Sequence, residues 1–174
     1  ALVDGYQAAG QVPVDVAASD VDFYLTGGLK WLLGGPGIVY LYVRPELVGS
    51  LVPTTAGWFG HRDQFAFDAE RFAFHDDARR FEVGTPAVAA VYAGRAGLGV
   101  VLEIGAEQIR RRQLELTGDL VARLRDAGLT LKLPARPEEH AGIVMVRADD
   151  PAAAVRGLRE RRIVADYRPG FVRL

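Results

Sequence analysis

At 174 residues with 49% apolar content, the chain is long enough to bury a substantial core, as one domain or as a large piece plus a small one. Its 21 Lys and Arg nearly cancel its 22 Asp and Glu, which argues against a nucleic-acid footprint or a polybasic membrane patch and leaves a small molecule as the expected partner. There is no Cys, and His61, His75 and His140 lack ligand spacing, so no disulfide, thiolate nucleophile or metal site is expected.

In chain order, residues 1 to 4 read as a short parallel strand and residues 22 to 26 as a second. Gly34-Gly35-Pro36-Gly37 breaks the chain, and the β-branched and aromatic run at 38 to 43 is expected as a strand buried on both faces. Residues 53 to 86, with Phe59, Phe65, Phe67, Phe72, Phe74 and Phe81, keep neither a helical nor a strand period and read as a long ordered excursion. Pro86 suits the first turn of a helix reaching residue 104, whose many small residues allow close packing. A second helix is expected over 106 to 127, with Ile109, Leu116, Leu120 and Leu124 on its apolar side, Arg110-Arg111-Arg112 on its wet side and Gly128 as its C-cap. Strands at 129 to 133 and 142 to 147 follow. A helix at 151 to 161 comes next, with Asp150 as N-cap and Pro151 at N1, and then strands at 162 to 165 and 171 to 174.

The pattern divides into a sheet-bearing part, residues 1–95, and a small α+β lobe, residues 96–174. Both ends run out in strand-like residues, so truncation at both is expected. No run approaches the roughly 20 apolar residues of a membrane span, and no signal segment opens the chain; a soluble, cytoplasmic protein is the expectation.

Of the 21 basic residues only Lys30 and Lys132 are Lys. Lys132 alternates with Leu131 and Leu133 and suits a solvent-facing strand position. Lys30 lies in Gly27-Gly28-Leu29-Lys30-Trp31-Leu32-Leu33-Gly34-Gly35, an unusual place for a solubilising charge. An amine is nucleophilic only when neutral, and apolar surroundings favour that form for Lys but not for Arg. Asp4 ends one expected strand and Lys30 follows the next. In open α/β sheets ligands bind beyond the carboxyl ends of the strands, so Asp4 and Lys30 are expected to face one crevice, with Gln7 three residues after Asp4.

The runs Val3-Asp4-Gly5-Tyr6-Gln7-Ala8-Ala9-Gly10, Val21-Asp22-Phe23-Tyr24-Leu25-Thr26-Gly27-Gly28-Leu29-Lys30 and Gly35-Pro36-Gly37 resemble the cofactor core of the class V aminotransferase family, which includes kynureninases, cysteine desulfurases and amino-acid epimerases. The resemblance implies an α/β fold: the C-terminal part of the aminotransferase-type three-layer sandwich that binds pyridoxal 5'-phosphate (PLP), lacking its N-terminal part, plus a small α+β domain. It also implies that Asp4 pairs with the pyridine nitrogen of PLP, Gln7 with its phenolic oxygen, and that Lys30 is the Schiff-base lysine and proton shuttle.

Gly57-Trp58-Phe59-Gly60-His61 is similar to a kynureninase motif that places Trp58 near the cofactor. Arg80-Phe81-Glu82-Val83-Gly84-Thr85-Pro86 resembles the segment that reaches a neighbouring subunit's site, with Thr85 on the PLP phosphate, which implies a homodimer with shared active sites. Asp166-Tyr167-Arg168-Pro169-Gly170-Phe171-Val172-Arg173 looks like the approach to the substrate-carboxylate arginine, assigned to Arg173 with Arg168 as competitor.

The chain departs from the family in having no persulfide-forming Cys, so desulfuration is not expected. Leu29 and Gln7 stand where kynureninases usually have Tyr and commonly have His. The expected function is a PLP-dependent enzyme acting on an α-amino acid by kynureninase-like hydrolytic C–C cleavage. The alternatives are a class V aminotransferase or an epimerase or lyase, and, from another class, a non-catalytic α/β binding domain.

Overall fold

In the computed structural model, which describes residues 1–68 and 70–174, the first three extended runs form β1 (Leu2–Asp4), β2 (Phe23–Gly27) and β3 (Val39–Val43). β1 pairs with β2 in parallel, Asp4 opposite Leu25, and Gly5 N–H continues the ladder to Leu25 O at 2.8 Å. β3 runs antiparallel to β2 on its other side, with Gly27 opposite Val39. This corrects the expected burial of residues 38 to 43: Val39 and Leu41 are exposed and only Val43 is buried. Among the described residues β3 is the edge strand of this sheet, and the side chains of Val39 and Leu41, two residues apart, share one uncovered face.

A one-turn helix, α1 (Pro45–Val48), follows with Pro45 in its first turn. Among the described residues, the excursion at 53 to 86 contains two short 3-10 turns, Trp58–Gly60 and Ala78–Phe81, and one bridge between His61 and Phe74. Then comes α2 (Val88–Ile104). Its small residues serve close packing, as expected: Gly94 and Gly97 are buried where the helix meets the glycine-rich loop after β2. A Cβ on Gly97 would lie 2.5 Å from Leu32 O and Leu33 O, and one on Gly34 would lie 2.7 Å from Gly94 Cα. Backbone therefore meets backbone with no side chain between, which fixes the loop carrying Lys30 against a rigid element.

The chain divides into two compact units, 1–105 and 106–174. The sequence boundary at residue 95 falls inside α2, whereas the structure keeps that helix whole. Within the second unit, α3 (Ala106–Asp126) leads to β4 (Leu131–Lys132), β5 (Met145–Arg147), α4 (Pro151–Glu160), β6 (Asp166–Arg168) and β7 (Phe171–Arg173). All neighbouring strands are antiparallel, in the order β4-β5-β7-β6. Val144, fully buried, joins Val121, Val146 and Val172 in a core that Leu120 and Leu124 of α3 and Val155 and Leu158 of α4 complete.

Local chemistry sets the ends of these elements. Gly128 at φ +76 closes α3 through Leu129 N–H to Leu124 O and Gly128 N–H to Arg125 O, the paired bonds of a Schellman cap. Asp150 accepts from Ala153 N–H with Pro151 in the first turn of α4. Pro169-Gly170, with Gly170 at φ +78, turns β6 into β7 as a type II order of residues does.

Two expectations are corrected in this unit. Residues 162 to 165 are not a strand: Arg162 takes φ +63 and Ile163 N–H bonds Leu158 O, so these residues unwind α4, and the strand starts at Asp166. Arg110 is not on the wet side of α3. It is only 8% exposed, and its guanidinium donates to Glu138 O at 2.6 Å, to His140 O at 2.8 Å and to the Gln113 side chain. Those carbonyls lie in a turn about 30 residues away, which helical periodicity cannot register.

Candidate active site

The carboxyl ends of β1 and β2 bring Asp4, Gln7 and Lys30 into one neighbourhood. Asp4 accepts Tyr6 N–H through Oδ1 at 2.9 Å, a local turn that leaves Oδ2 without a partner among the described residues. The turn continues with Ala8 and Ala9 N–H on Gly5 O, which carries Gln7 to the loop after β2. There Trp31 Nε1–H donates to Gln7 Oε1 at 3.1 Å. Lys30 is exposed, not enclosed in the apolar setting expected for it, and its Nζ stands 5.9 Å from the centroid of the Tyr6 ring, the outer reach of a cation–π contact.

Two missing side chains make this convergence possible. The Tyr6 ring occupies the space a Cβ would take at Gly27, and the Tyr24 ring occupies the same space at Gly5. Burial, and after it the negative charge of Asp4, push the Tyr24 hydroxyl above its ordinary pKa. That hydroxyl is buried and has no hydrogen-bond partner among the described residues. Tyr6 and Trp31 escaped the sequence reading. The available signal was a glycine followed by an aromatic residue after each of the two strands, Gly5-Tyr6 and Gly28 with Trp31.

Trp58 and Thr85 lie elsewhere in the same unit. Trp58 donates its indole N–H to Gln64 O and makes edge contacts with Phe59 and Phe65 at centroid distances of 5.3 and 5.9 Å. The backbone of Gly57 abuts Val83, and that of Gly60 abuts Arg80 and Glu82, so the two motif segments run side by side. Thr85 is exposed. Among the described residues no hydrogen bond or ring contact joins Trp58 or Thr85 to Asp4, Gln7 or Lys30.

Arg168 and Arg173 belong to the second unit, where both contact one carboxylate. Asp166 Oδ2 lies 2.7 Å from Arg168 Nη1 and 3.1 Å from Arg173 Nη2. Asp166 and Arg173 face each other across the hairpin, and the side chain of Arg173 keeps 33% of its surface exposed. The Tyr167 N–H, then the Arg168 hydrogen bond and the charges of both arginines, hold the Asp166 carboxyl below the usual carboxylate range. Sequence reasoning named both arginines but missed the acid between them.

Among the described residues no single helix is long and apolar enough to cross a membrane, and no group of three or more His, Cys, Asp or Glu is arranged to hold a metal ion.

Residues 1–164 match the family model described as Aminotransferase class-V, and the chain belongs to that family. It is 38% identical over 174 residues to the uncharacterized aminotransferase YcbU of Bacillus subtilis, covering 99% of this chain and 45% of that protein. It is 35% identical to the isopenicillin N epimerase of Streptomyces clavuligerus, covering 98% and 46%, and 30% identical to a kynureninase of Pseudomonas fluorescens, covering 97% and 41%. The chain thus spans less than half the length of these relatives.

Among solved structures, the apo cysteine desulfurase of Thermococcus onnurineus NA1 superposes with a TM-score of 0.89 at 24% identity, covering 99% of this chain and 46% of that one. That likeness establishes the fold. The cystine C-S lyase C-DES, in complex with its product cysteine persulfide, gives 0.80 at 28% identity, covering 96% and 45%. A C-DES mutant with glycine covalently linked to the PLP cofactor gives 0.80 at 27%, covering 96% and 44%. The α/β fold expected from the sequence is therefore the one found.

Proposed function

We propose that this chain is part of a PLP-dependent enzyme that acts on an α-amino acid, with Lys30 as the residue that anchors the cofactor. The convergence of Asp4, Gln7 and Lys30 at the carboxyl ends of β1 and β2 carries this reading. The donor set fits PLP: among the described residues, a carboxylate with one oxygen uncommitted, an amide with its NH2 uncommitted, and an exposed amine. The bound group would supply an electron sink for electrons released at the substrate's α-carbon. Asp4 would hold a proton on the ring nitrogen, Gln7 would donate to the phenolic oxygen, and Lys30 would move the α-carbon proton. Trp58 would line the site and Thr85 would hold the phosphate of a neighbouring subunit in a homodimer. Arg173, or Arg168 in its place, would grip the substrate carboxylate with a planar fork.

For the reaction itself we place kynureninase-like hydrolytic C–C cleavage first. Support comes from Gly57-Trp58-Phe59-Gly60-His61 and from the 30% identity to a kynureninase. Transamination or epimerisation is the second reading, favoured by identities of 38% and 35% to proteins named for those activities.

Full-length protein mixed with PLP should develop a visible absorbance band, and borohydride should fix the cofactor's mass on the Lys30 peptide. No band, or label on Lys132, overturns the assignment. Release of anthranilate from kynurenine, measured against keto-acid formation and against loss of optical activity, then separates the reactions.

A further inference from the structure

The side-chain amide of Gln7 has two opposite ends, a carbonyl that accepts and an NH2 that donates, and turning it over exchanges them at almost no steric cost. A ligand oxygen facing that amide meets attraction or repulsion according to which end points outward. Trp31 settles the question. Its indole N–H can only donate, and it lies 3.1 Å from Gln7 Oε1, so the accepting end is engaged and the NH2 end is turned away from Trp31. No bond from that NH2 occurs among the described residues.

Resting on the PLP reading above, we infer that Trp31 is a positioning residue: it locks the Gln7 amide in the orientation that donates to the ligand's phenolic oxygen. Trp31 itself is held from two sides. Gly10, at φ +92, passes so close that a Cβ there would overlap the Trp31 carbonyl. The next residues of the loop, Leu32 and Leu33, press their backbone on Gly97 of α2, and Leu33 N–H closes a turn onto Lys30 O at 3.1 Å. On the other partner, the Gln11 amide binds Gln7 O. Lys30 and Trp31 are neighbours on one clamped loop, so the loop that presents the amine also sets the polarity of the amide across from it.

The test uses full-length protein and three variants, Trp31→Phe, Gln7→Glu and Gln7→Leu. Without cofactor, the 15N-indole signal of Trp31 reads the contact itself. Gln7→Glu keeps an acceptor and should keep the signal's position, while Gln7→Leu should move it toward the position of a solvent-exposed indole. With PLP, the pH midpoint of the visible band reads the amide's orientation. A donor favours the ionised phenolic oxygen, so Trp31→Phe and Gln7→Glu should both shift the midpoint upward and weaken PLP binding about tenfold, while borohydride still labels Lys30.

A Trp31→Phe protein whose midpoint and PLP affinity equal the parent's overturns the inference. So does an indole signal indifferent to Gln7→Leu. A parent with neither band nor Lys30 label refutes the cofactor reading instead, a result visible before any variant is made.

Discussion

Replacing Gly97 by Ala tests whether α2 and the Lys30 loop meet backbone to backbone. In an unencumbered helix interior Ala is favoured over Gly by about 0.8–1.0 kcal/mol, and at Gly99, two residues on, a Cβ meets nothing within 4 Å. Gly99→Ala should therefore stabilise by that order. At Gly97 the same methyl would stand 2.5 Å from Leu32 O, Leu33 C and Leu33 O, far inside the roughly 3.5 Å of a carbon contact. None of those atoms can escape by changing rotamer. Overpacking of this kind costs about 1–3 kcal/mol, and three backbone clashes argue for the upper end. Gly97→Ala should then lose about 2 kcal/mol net, placing the two variants about 3 kcal/mol apart. Urea unfolding of both beside the parent measures the gap. Equal midpoints, or a more stable Gly97→Ala, would refute the packing argument.

Three further outcomes follow from buried and charged groups. Arg110→Ala should cost about 2–4 kcal/mol in urea unfolding, because it leaves the Glu138 and His140 carbonyls unpaired, and Arg110→Lys should recover only part, lacking the planar fork; an unchanged midpoint in Arg110→Ala would contradict the buried role. Tyr24→Phe removes a buried hydroxyl that has no partner, so stability at pH 7 should hold or rise by about 1 kcal/mol. Because the folded state raises the Tyr24 pKa, the parent's stability should be complete below about pH 10 and decline above it, and thermal melts across that range should show a shallower decline in Tyr24→Phe. The Arg79 side-chain and backbone hydrogen bonds hold Asp77 at about 2, so its contribution should be intact above the ordinary value of 3.8 and vanish as pH falls through about 2. An NMR titration of the Asp77 carboxyl should find that midpoint, and in Arg79→Ala the midpoint should climb back toward 3.8.

Much of the fold was legible because its punctuation is local. Asp150 before Pro151 and Gly128 after α3 each act on backbone groups within a few residues, and both stand where the sequence puts them. Asp4 and Lys30 could be grouped because strand ends in an open sheet share a side, and Gln7 joined them through the family resemblance. What stayed hidden depends on partners distant in sequence. Arg110 reads as one of three consecutive surface charges until the turn at 137 to 140 supplies two carbonyls. Val39 and Leu41 look like the interior of a sheet, because a β-branched and aromatic run does not say whether anything covers the face they share. The bond between Trp31 and Gln7 spans 24 positions and leaves no periodic trace. Arg162 at φ +63 is a conformation that composition does not announce.

Asp166 also sets a charge count. Two guanidiniums share its single carboxylate, so the trio carries one uncompensated positive charge, enough to neutralise one monoanion and no more. A ligand with a lone carboxylate would leave the cluster electrically balanced, whereas a dianion would leave it overfilled. On the proposed role of these arginines, charge balance would favour the monoanion.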